Sequence, residues 1–259
     1  MNSMNGNYIK PFINDNVNCS LYLGRNAGER IKNYIKNAKK SIKIFSPYFS
    51  TELIDLLLEK TASVKDIKLI STLKISELYN PMNLNLLKKI ILQKRHVDED
   101  SVNKRKSMYY FAIAIAIIFI VYIVISAALF STKGINLFTS TPLIYFLLLI
   151  IFLFLRKKIT SIRIYTYTYY TPFFIKFIIN NDNVFLHYKL YIIDDSYAFL
   201  GSLNFTSSGF FRNYESCITI NDENTVKLLS EYFEYIANSQ INEIDISSLG
   251  RRLYEEPIN

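Results

Sequence analysis

The chain has 259 residues, of which 50% are hydrophobic, and carries a formal net charge of +8. The apolar content excludes a disordered protein, because disordered chains lack the apolar residues that offset the entropy cost of ordering. Two cysteines, Cys19 and Cys217, exclude a disulfide-dense scaffold and a multi-cysteine metal site. Two histidines, His96 and His187, exclude a three-histidine metal site.

The first third of the chain alternates short strands with helices. Ile42 and Ile44 alternate with lysines, which is typical of a strand, and Ile31 and Ile35 recur at helical spacing. The predicted strands in this region are 19–23, 41–45 and 67–71. The predicted helices are 27–38, 51–59 and 75–93.

Two uncharged apolar stretches follow, at 108–130 and 135–155. A helix of about 20 residues spans a bilayer core, so both stretches are long enough to cross one. Pro142 lies inside the second stretch, whose helix is therefore expected to begin near Thr141 with proline in its first turn, which makes it slightly short for a bilayer. Because only residues 131–134 separate the stretches, we predict a two-helix transmembrane hairpin.

Basic residues flank this hairpin on both outer sides. Residues 88–106 hold seven Lys/Arg against three acids and residues 156–163 hold four more, whereas the connecting segment has only Lys133. The positive-inside rule then predicts an integral membrane protein with both termini and both soluble pieces of the chain in the cytoplasm. The same clusters suit anionic lipid headgroups. In a reducing cytoplasm we expect Cys19 and Cys217 to be thiols that pack as small buried side chains.

The last third is again mixed in character. The predicted strands are 161–169, 184–193, 197–200 and 215–220, the predicted helices are 172–179 and 224–237, and a weakly patterned tail follows. Alternating strands and helices imply an α/β sandwich with a largely buried sheet. We therefore predict one domain in two pieces, 1–107 and 156–259, separated by the hairpin at 108–155.

Candidate catalytic residues cluster in the second piece. The predicted strand 184–193 places His187 and Lys189 on one face and Asp194 on the other, and Ser202 and Asn204 share a side after the next strand. A lone His–Lys pair also fits a buried histidine beside a lysine at the sheet edge. A histidine, a lysine, an amide and a hydroxyl together suit a phosphate, because they supply a nucleophile or proton shuttle, a point charge and neutral donors.

The spacing His187-x-Lys189-xxxx-Asp194-xxxxxx-Gly201-Ser202-x-Asn204 resembles the HKD signature of the phospholipase D superfamily. The resemblance continues downstream through Gly209, Asn213 and Glu215. Residues 38–49 and 67–72 are similar to the opening strand–helix–strand unit of that family. The resemblance implies an α/β/α sandwich with a mixed sheet, here interrupted by the transmembrane hairpin.

The resemblance also implies roles for individual residues, with no metal and no cofactor. His187 is expected to be the nucleophile that forms a phosphohistidine, and Glu215 to accept a hydrogen bond from its imidazole. Asp194 belongs to the signature, but its strand parity gives it a supporting role. The expected site comprises catalytic His187, Lys189, Asp194 and Glu215, and phosphate-binding Lys189, Ser202 and Asn204.

Family members normally bring two such motifs together, and this chain has one. His96 is followed by Val97 and Asp98, so it lacks the lysine two residues on and is not the second motif. The resemblance therefore implies a homodimer with one composite site on its two-fold axis.

Three functions remain open at this stage. The membrane hairpin and the neutral charge of the remaining chain favour a phosphodiesterase acting on phospholipid or headgroup diesters, by hydrolysis or transfer. The basic clusters beside the hairpin favour a membrane-tethered, metal-independent endonuclease as the second choice. An inactive membrane scaffold is the third, and the intact set of His187, Lys189, Asn204 and Glu215 argues against it.

Overall fold

The computed structural model describes residues 17–73, 81–134, 142–179, 186–239 and 243–259. Its strands are β1 Cys19–Gly24, β2 Ser41–Phe45, β3 Asp66–Thr72, β4 Leu92–Val97, β5 Tyr165–Tyr170, β6 Phe174–Ile178, β7 Leu190–Ile193, β8 Tyr197–Gly201 and β9 Glu215–Ile220. Its helices are α1 Ala27–Asn37, α2 Thr51–Lys60, α3 Pro81–Ile90, α4 Glu99–Lys133, α5 Pro142–Ser161, α6 Glu223–Asn238 and α7 Ile246–Leu253, with a π-helical turn at Ser208–Arg212.

The chain divides into two compact units. Unit 1 consists of Met1–Leu92 and Tyr169–Leu253, and unit 2 consists of Gln93–Thr168 and Tyr254–Asn259. Unit 1 therefore combines segments from both sides of the long apolar helices.

Unit 1 contains a seven-stranded sheet with the order β1-β9-β8-β7-β2-β3-β6. Strands β2, β3 and β6 run parallel to one another, whereas every pair along β2-β7-β8-β9-β1 is antiparallel. The sheet is therefore mixed, as predicted.

Helices cover both faces of this sheet. On one face α6 buries Val226 and Phe233 against Phe45, Ile192 and other apolar side chains. On the opposite face α1 buries Ile31 and Ile35, and its Tyr34 ring contacts the rings of Tyr197 and Phe199. These apolar faces give the three layers of an α/β/α sandwich, because each element shields its hydrophobic side from water.

Unit 2 contains the two-stranded sheet of β4 and β5 together with α4 and α5. Asp98 caps the start of α4 by accepting the N–H of Ser101, and Gly134 ends the helix in a left-handed conformation at φ 64°. The helices α4 and α5 pack together where the Tyr145 hydroxyl donates to Ser126 Oγ at 2.8 Å.

One helix in the described part of the chain, α4, is long and apolar enough to cross a bilayer by length and composition. It begins nine residues before the predicted span and includes residues 131–133, which we expected to lie in the connecting loop. The last turns of helix α5, which ends at Ser161, contain the basic residues Arg156, Lys157 and Lys158. The second span and the hairpin stay a prediction, and residues 135–141 lie outside the described residues.

Several predicted elements are correct and others are wrong. The bounds of β2 and β9 match the predicted strands 41–45 and 215–220, and β1, β3, β8, α1, α2 and α6 lie within one or two residues of theirs. The helix predicted at 172–179 is wrong, because this segment forms β6 parallel to β3. A short apolar run fits a buried strand and a helix equally well, and here pairing with β3 decides.

Other corrections concern element boundaries. The strand predicted at 161–169 begins only at Tyr165, because residues up to Ser161 belong to α5. The helix predicted at 75–93 ends at Ile90, and Leu92 already begins β4; residues 75–80 lie outside the described ones.

Three further corrections follow. The strand predicted at 184–193 begins at Leu190, with 184 and 185 outside the described residues. The weakly patterned tail contains α7. Cys217 is buried as expected, but Cys19 is exposed because it lies on the edge strand β1.

Candidate functional site

The candidate residues gather at one end of the neighbouring strands β7, β8 and β9 of the large sheet. His187 and Lys189 precede β7, and Gly201 ends β8 beside them, where its N–H donates to the Lys189 carbonyl at 3.3 Å. A Cβ on Gly201 would overlap the carbonyl oxygen of Ser216 on β9. Glycine is therefore required here, since it lets β8 and β9 approach closely beside the site.

The structure brings His187 and Lys189 into direct contact. Lys189 Nζ lies 2.9 Å from Nδ1 and 2.8 Å from Nε2 of His187, and it donates to the His187 carbonyl oxygen at 3.0 Å. Burial and then the nearby Lys189 ammonium lower the pKa of His187. The neutral imidazole is the form in which a ring nitrogen has a lone pair, so this environment favours the nucleophilic form.

Lys189 is a buried cation without an ion-pair partner among the described residues. It is 6% exposed, and none of the ion pairs that those residues form includes it. Burial lowers its pKa, and the charge of Glu215 acts in the opposite direction. A buried charge that is not paired is costly, so the arrangement favours binding an anion here.

Two neutral donors bind the Glu215 carboxylate at the same end of these strands. Ser202 Oγ donates a short hydrogen bond to Glu215 Oε2, and Asn213 Nδ2 donates to Glu215 Oε1 at 3.1 Å. The Ser202 hydroxyl also accepts the N–H of Ser216 at 3.0 Å. Ser202, predicted to bind phosphate, therefore orients the carboxylate of Glu215.

Asn204 contributes an unsatisfied polar atom. Its Oδ1 is buried and has no hydrogen-bond partner within the described residues. Gly209 packs against the backbone of Asn204, where an added Cβ would lie 2.6 Å from the Asn204 carbonyl oxygen. An unpaired buried acceptor costs free energy, so Oδ1 is a candidate contact for a donor group of a ligand, whereas a phosphate oxygen needs the Nδ2 donor of the same amide.

Asp194 lies away from this cluster and binds the backbone. Its carboxylate accepts N–H bonds from Lys39, Lys40 and Ser41, at 2.7 to 3.1 Å. These residues connect α1 to β2, and Asp194 itself has a left-handed φ of 56°. Asp194 thus fixes the turn after β7 to the first piece of the chain.

Two positioning residues escaped the sequence reasoning. The buried Tyr191 hydroxyl donates to the Leu203 carbonyl at 2.8 Å, and Ser46 Oγ accepts the Phe205 N–H at 2.8 Å. Both bonds fix the backbone on either side of Asn204. The signal for Tyr191 was its strand parity with His187 and Lys189, whereas no pattern in the sequence points to Ser46.

His96 is not part of this cluster. It lies in β4, where its Nε2 and the Thr168 hydroxyl are 2.8 Å apart. It contributes no second motif.

Comparison with protein families gives one match. Residues 155–237 match the family model described as "Cardiolipin synthase, PLD-like domain". The matched segment contains His187, Lys189, Asp194, Ser202, Asn204 and Glu215. A search of curated proteins found no match.

Solved structures give more distant likenesses. NucT from Helicobacter pylori is 14% identical, with 87% of this chain and 98% of that chain covered at a TM-score of 0.46. Nuc from Salmonella typhimurium, a phospholipase D family member, is 14% identical, with 88% of this chain and 98% of that chain covered at a TM-score of 0.44. A phosphatidylserine synthase from Haemophilus influenzae is 13% identical, with 93% and 43% covered at 0.44.

All three TM-scores are below 0.5, so the assignment rests on the family model and on the signature residues that it spans. Residues 155–237 therefore belong to the PLD-like domain family of the phospholipase D superfamily.

Proposed function

We propose that the chain is a membrane-anchored phosphodiesterase that acts on a phospholipid or headgroup diester through a phosphohistidine at His187, without a metal. The observation that carries this proposal is the buried Lys189 ammonium, which contacts the imidazole and has no carboxylate partner among the described residues. A bound phosphodiester supplies this negative charge next to the His187 imidazole, the proposed nucleophile.

In the first step a ring nitrogen of His187 attacks phosphorus. A P–N bond forms, the P–O bond to the leaving group breaks, and the leaving oxygen takes a proton from a general acid. Lys189 and the Asn204 amide bind the non-bridging oxygens, whose charge develops in the transition state. Water or an alcohol then attacks phosphorus, the P–N bond breaks, and the attacking oxygen returns its proton to the acid–base group.

The general acid in this proposal is His187 of a second copy of the chain. The chain has one signature histidine, and His96 forms part of β4 in unit 2. A symmetric homodimer places both imidazoles at one composite site, one attacking and the other protonating.

Helix α4 is the proposed anchor. Its apolar length and the basic residues beside it support an integral membrane protein, with α5 as the second span and both termini in the cytoplasm. An anchor of this kind keeps the active unit next to a lipid surface, which supports a lipid diester as the substrate.

Detergent-purified full-length chain assayed in chelator tests the reaction. Bis(p-nitrophenyl) phosphate, phosphatidylglycerol vesicles and single- and double-stranded DNA are offered in parallel, with His187→Ala as the control. We expect turnover of the aryl diester and of the vesicle lipid, and acid-labile phosphate on His187. DNA cleavage without lipid turnover contradicts the lipid substrate in favour of a nuclease, and no turnover of any substrate favours the scaffold.

Mixing the wild-type chain with His187→Ala chains tests the composite site. If two histidines share one site, activity per wild-type chain falls as the inactive chain is added in excess. Constant activity per wild-type chain contradicts the shared site.

A further inference from the structure

The two helices of unit 2, α4 and α5, pack side by side along a regular seam. On α4 the buried Ala112 and Ser126 and the half-buried Phe119 follow one another at intervals of seven residues, the spacing of a helix that faces a partner helix. From α5 the Tyr145 ring contacts the rings of Phe119 and Tyr122, with 6.0 and 4.7 Å between ring centres. The seam therefore fixes one face of α4 against α5.

A groove of about 260 Å³ lies between the two helices beside this seam. Its walls include Ile115, Ala116, Phe119 and Ile120 of α4 and Leu149 and Phe152 of α5. Every side chain that lines it is apolar, and Ala116 has the smallest of them. Ile120 is 59% exposed and Leu149 is 45% exposed, so the groove opens outward from the helix pair.

An arginine of α5 lies at one end of this groove. Arg156 follows Phe152 by four residues and Leu149 by seven, so it shares their side of the helix and lies about 6 Å further along the helix axis than Phe152. Its side chain is exposed, and no ion pair formed by the described residues includes it. This end of the groove is therefore positively charged, whereas its walls are apolar.

Helix α4 adds a tyrosine and a second arginine at the same end. Tyr109 precedes Ala116 by seven residues and Arg105 precedes it by eleven, and both intervals are close to whole numbers of helical turns. Arg105 donates to the neutral Asn259 Oδ1 at 3.2 Å and takes part in none of the ion pairs of the described residues. Asn259 also donates to the Thr160 carbonyl of α5, which places the start of α4 beside the end of α5.

An apolar groove with cations at one end distinguishes the possible ligands. Inorganic phosphate or a nucleic acid would use only the cations, because neither has an apolar segment for the groove. A helix of a second copy needs small side chains for close approach, whereas the bulky Phe119 and Ile120 line this groove. An anionic phospholipid uses both parts, since its acyl chain is apolar, its phosphate binds arginine and tyrosine lies at headgroup level.

The size of the groove limits how much of a lipid it holds. Its volume of about 260 Å³ is below the roughly 300–1,000 Å³ of sites that enclose a whole small ligand. The groove therefore fits part of one acyl chain, and the rest of the lipid remains in the bilayer.

We infer that unit 2 binds one anionic phospholipid, with an acyl chain in the groove and the phosphate at Arg156, next to Tyr109 and Arg105. This inference rests on the membrane anchor of the proposed function and not on the proposed catalysis. The site belongs to unit 2, whereas His187 belongs to unit 1, so the lipid here is a bound ligand and not the substrate. Because this lipid contacts both helices, its binding stabilises the pairing of α4 with α5.

Native mass spectrometry of the full-length chain in detergent measures how many lipids bind and how tightly. We would use the His187→Ala background to prevent the proposed turnover, and offer phosphatidylglycerol, phosphatidylcholine with the same chains, lysophosphatidylglycerol and glycerol 3-phosphate. We expect one phosphatidylglycerol or lysophosphatidylglycerol per chain, and no bound glycerol 3-phosphate. Phosphatidylcholine should bind about tenfold more weakly, because its headgroup has no net negative charge.

Two variants with matched controls test the two parts of the site. Ala116→Phe fills the groove, whereas Ala114→Phe places the same ring on the opposite side of α4. Arg156→Gln removes the cation, whereas Lys157→Gln removes the next charge, which lies about 100° around the helix. Phosphatidylglycerol should bind about tenfold more weakly to Ala116→Phe and Arg156→Gln, and within about twofold of its original affinity to both controls. Circular dichroism checks folding, and Arg156→Gln remains a test if Ala116→Phe does not fold.

Equal binding of phosphatidylglycerol by all four variants overturns the inference, and so does equal binding of the two diacyl lipids by the unaltered helices. Dimers that form without lipid and dissociate in Ala116→Phe also overturn it, and assign the groove to a second copy. Hydrolysis of bis(p-nitrophenyl) phosphate by chains that retain His187 separates the two proposals. It should be unchanged in Ala116→Phe and Arg156→Gln, whereas its absence in the wild type contradicts the proposed function and not the lipid site.

Discussion

Three lysines in or next to the large sheet are almost fully buried. The groups around them differ, and the difference distinguishes a lysine that stabilises the fold from one that is available to bind a ligand. Lys43 on β2 is 5% exposed and binds Asp195, Ser230 and Glu234 at 2.7 to 3.2 Å. Lys176 on β6 is 1% exposed and donates to the carbonyls of Ile236 and Ala237 at the end of α6.

Lys189 is 6% exposed, yet its side-chain contacts are with a histidine, itself a base. The ammonium groups of Lys43 and Lys176 are hydrogen-bonded to carboxylates, a hydroxyl or carbonyl groups of the fold itself. Among the described residues, Lys189 has no carboxylate partner, and in the proposed function its charge binds a phosphodiester. A buried lysine is therefore informative about function only when its partners are known, because burial alone does not distinguish these cases.

The largest expected difference between these lysines is in catalysis. Lys189→Met removes the charge that stabilises the phosphoryl oxygens, so kcat on an aryl diester should fall about a thousandfold. Thermal unfolding should stay at or above the wild-type temperature, because a buried unpaired charge is removed. A fall in stability with kcat retained would make Lys189 a structural lysine like Lys43.

Lys43→Met should show the opposite pattern. It leaves Asp195 and Glu234 without their cation, and Asp195 has a pKa held below its usual range, where hydrogen bonds from Lys43 and Ser230 outweigh burial. We expect the free energy of unfolding to fall by about 2 kcal/mol, less than for a fully buried pair because both carboxylates are partly exposed. Denaturant unfolding measures it, and kcat of the folded fraction should stay within about twofold.

The hydrogen bond from Asn213 to Glu215 gives a second test of the candidate site. Asn213→Ala removes one donor to the carboxylate and should lower kcat about tenfold, the effect of one hydrogen bond, with KM unchanged. Asn213→Asp, which places a like charge beside Glu215, should be worse than Asn213→Ala. Equal activity of Asn213→Ala and wild type would remove Asn213 from the positioning residues.

The smallest expected effect is on titration. Because burial and Lys189 lower the pKa of His187, the acidic limb of kcat/KM should have its midpoint below the ordinary imidazole value of about 6.5. Lys189→Met should raise the His187 pKa measured by NMR, but not fully, since burial is the larger cause. Bound vanadate should raise it as well, because a nearby anion favours imidazolium. A pKa unaffected by either change contradicts the electrostatic coupling.

Sequence reasoning selected the candidate residues because they belong to a spaced signature, and the structure brings His187 and Lys189 before β7 together with Ser202 and Asn204 after β8 because these two strands form a hairpin. It placed β2 and β9 correctly because their alternation is regular. It failed for Phe174–Ile178, since five apolar-rich residues fit a strand or a helix until β3 supplies the hydrogen bonds.

The contacts of Asp194 with Lys39, Lys40 and Ser41 span about 150 residues of chain. No local pattern encodes such a contact, because it depends on how two distant turns meet. The same holds for Ser46 and Phe205, whose bond fixes the loop that carries Asn204.

The pairing of β1 with β9 has a consequence for biosynthesis. Among the described residues of unit 1, strand β1 pairs with β9, which is made after the apolar helices, and the amides of Lys39, Lys40 and Ser41 donate to Asp194, which is also made after them. The first 92 residues therefore contain β1, β2 and β3, and the other four strands of the large sheet are made later. In the proposed membrane-anchored chain, α4 is synthesised before β6 to β9, so the large sheet is completed only after the anchor has been made and its open strand edges stay accessible to chaperones until then.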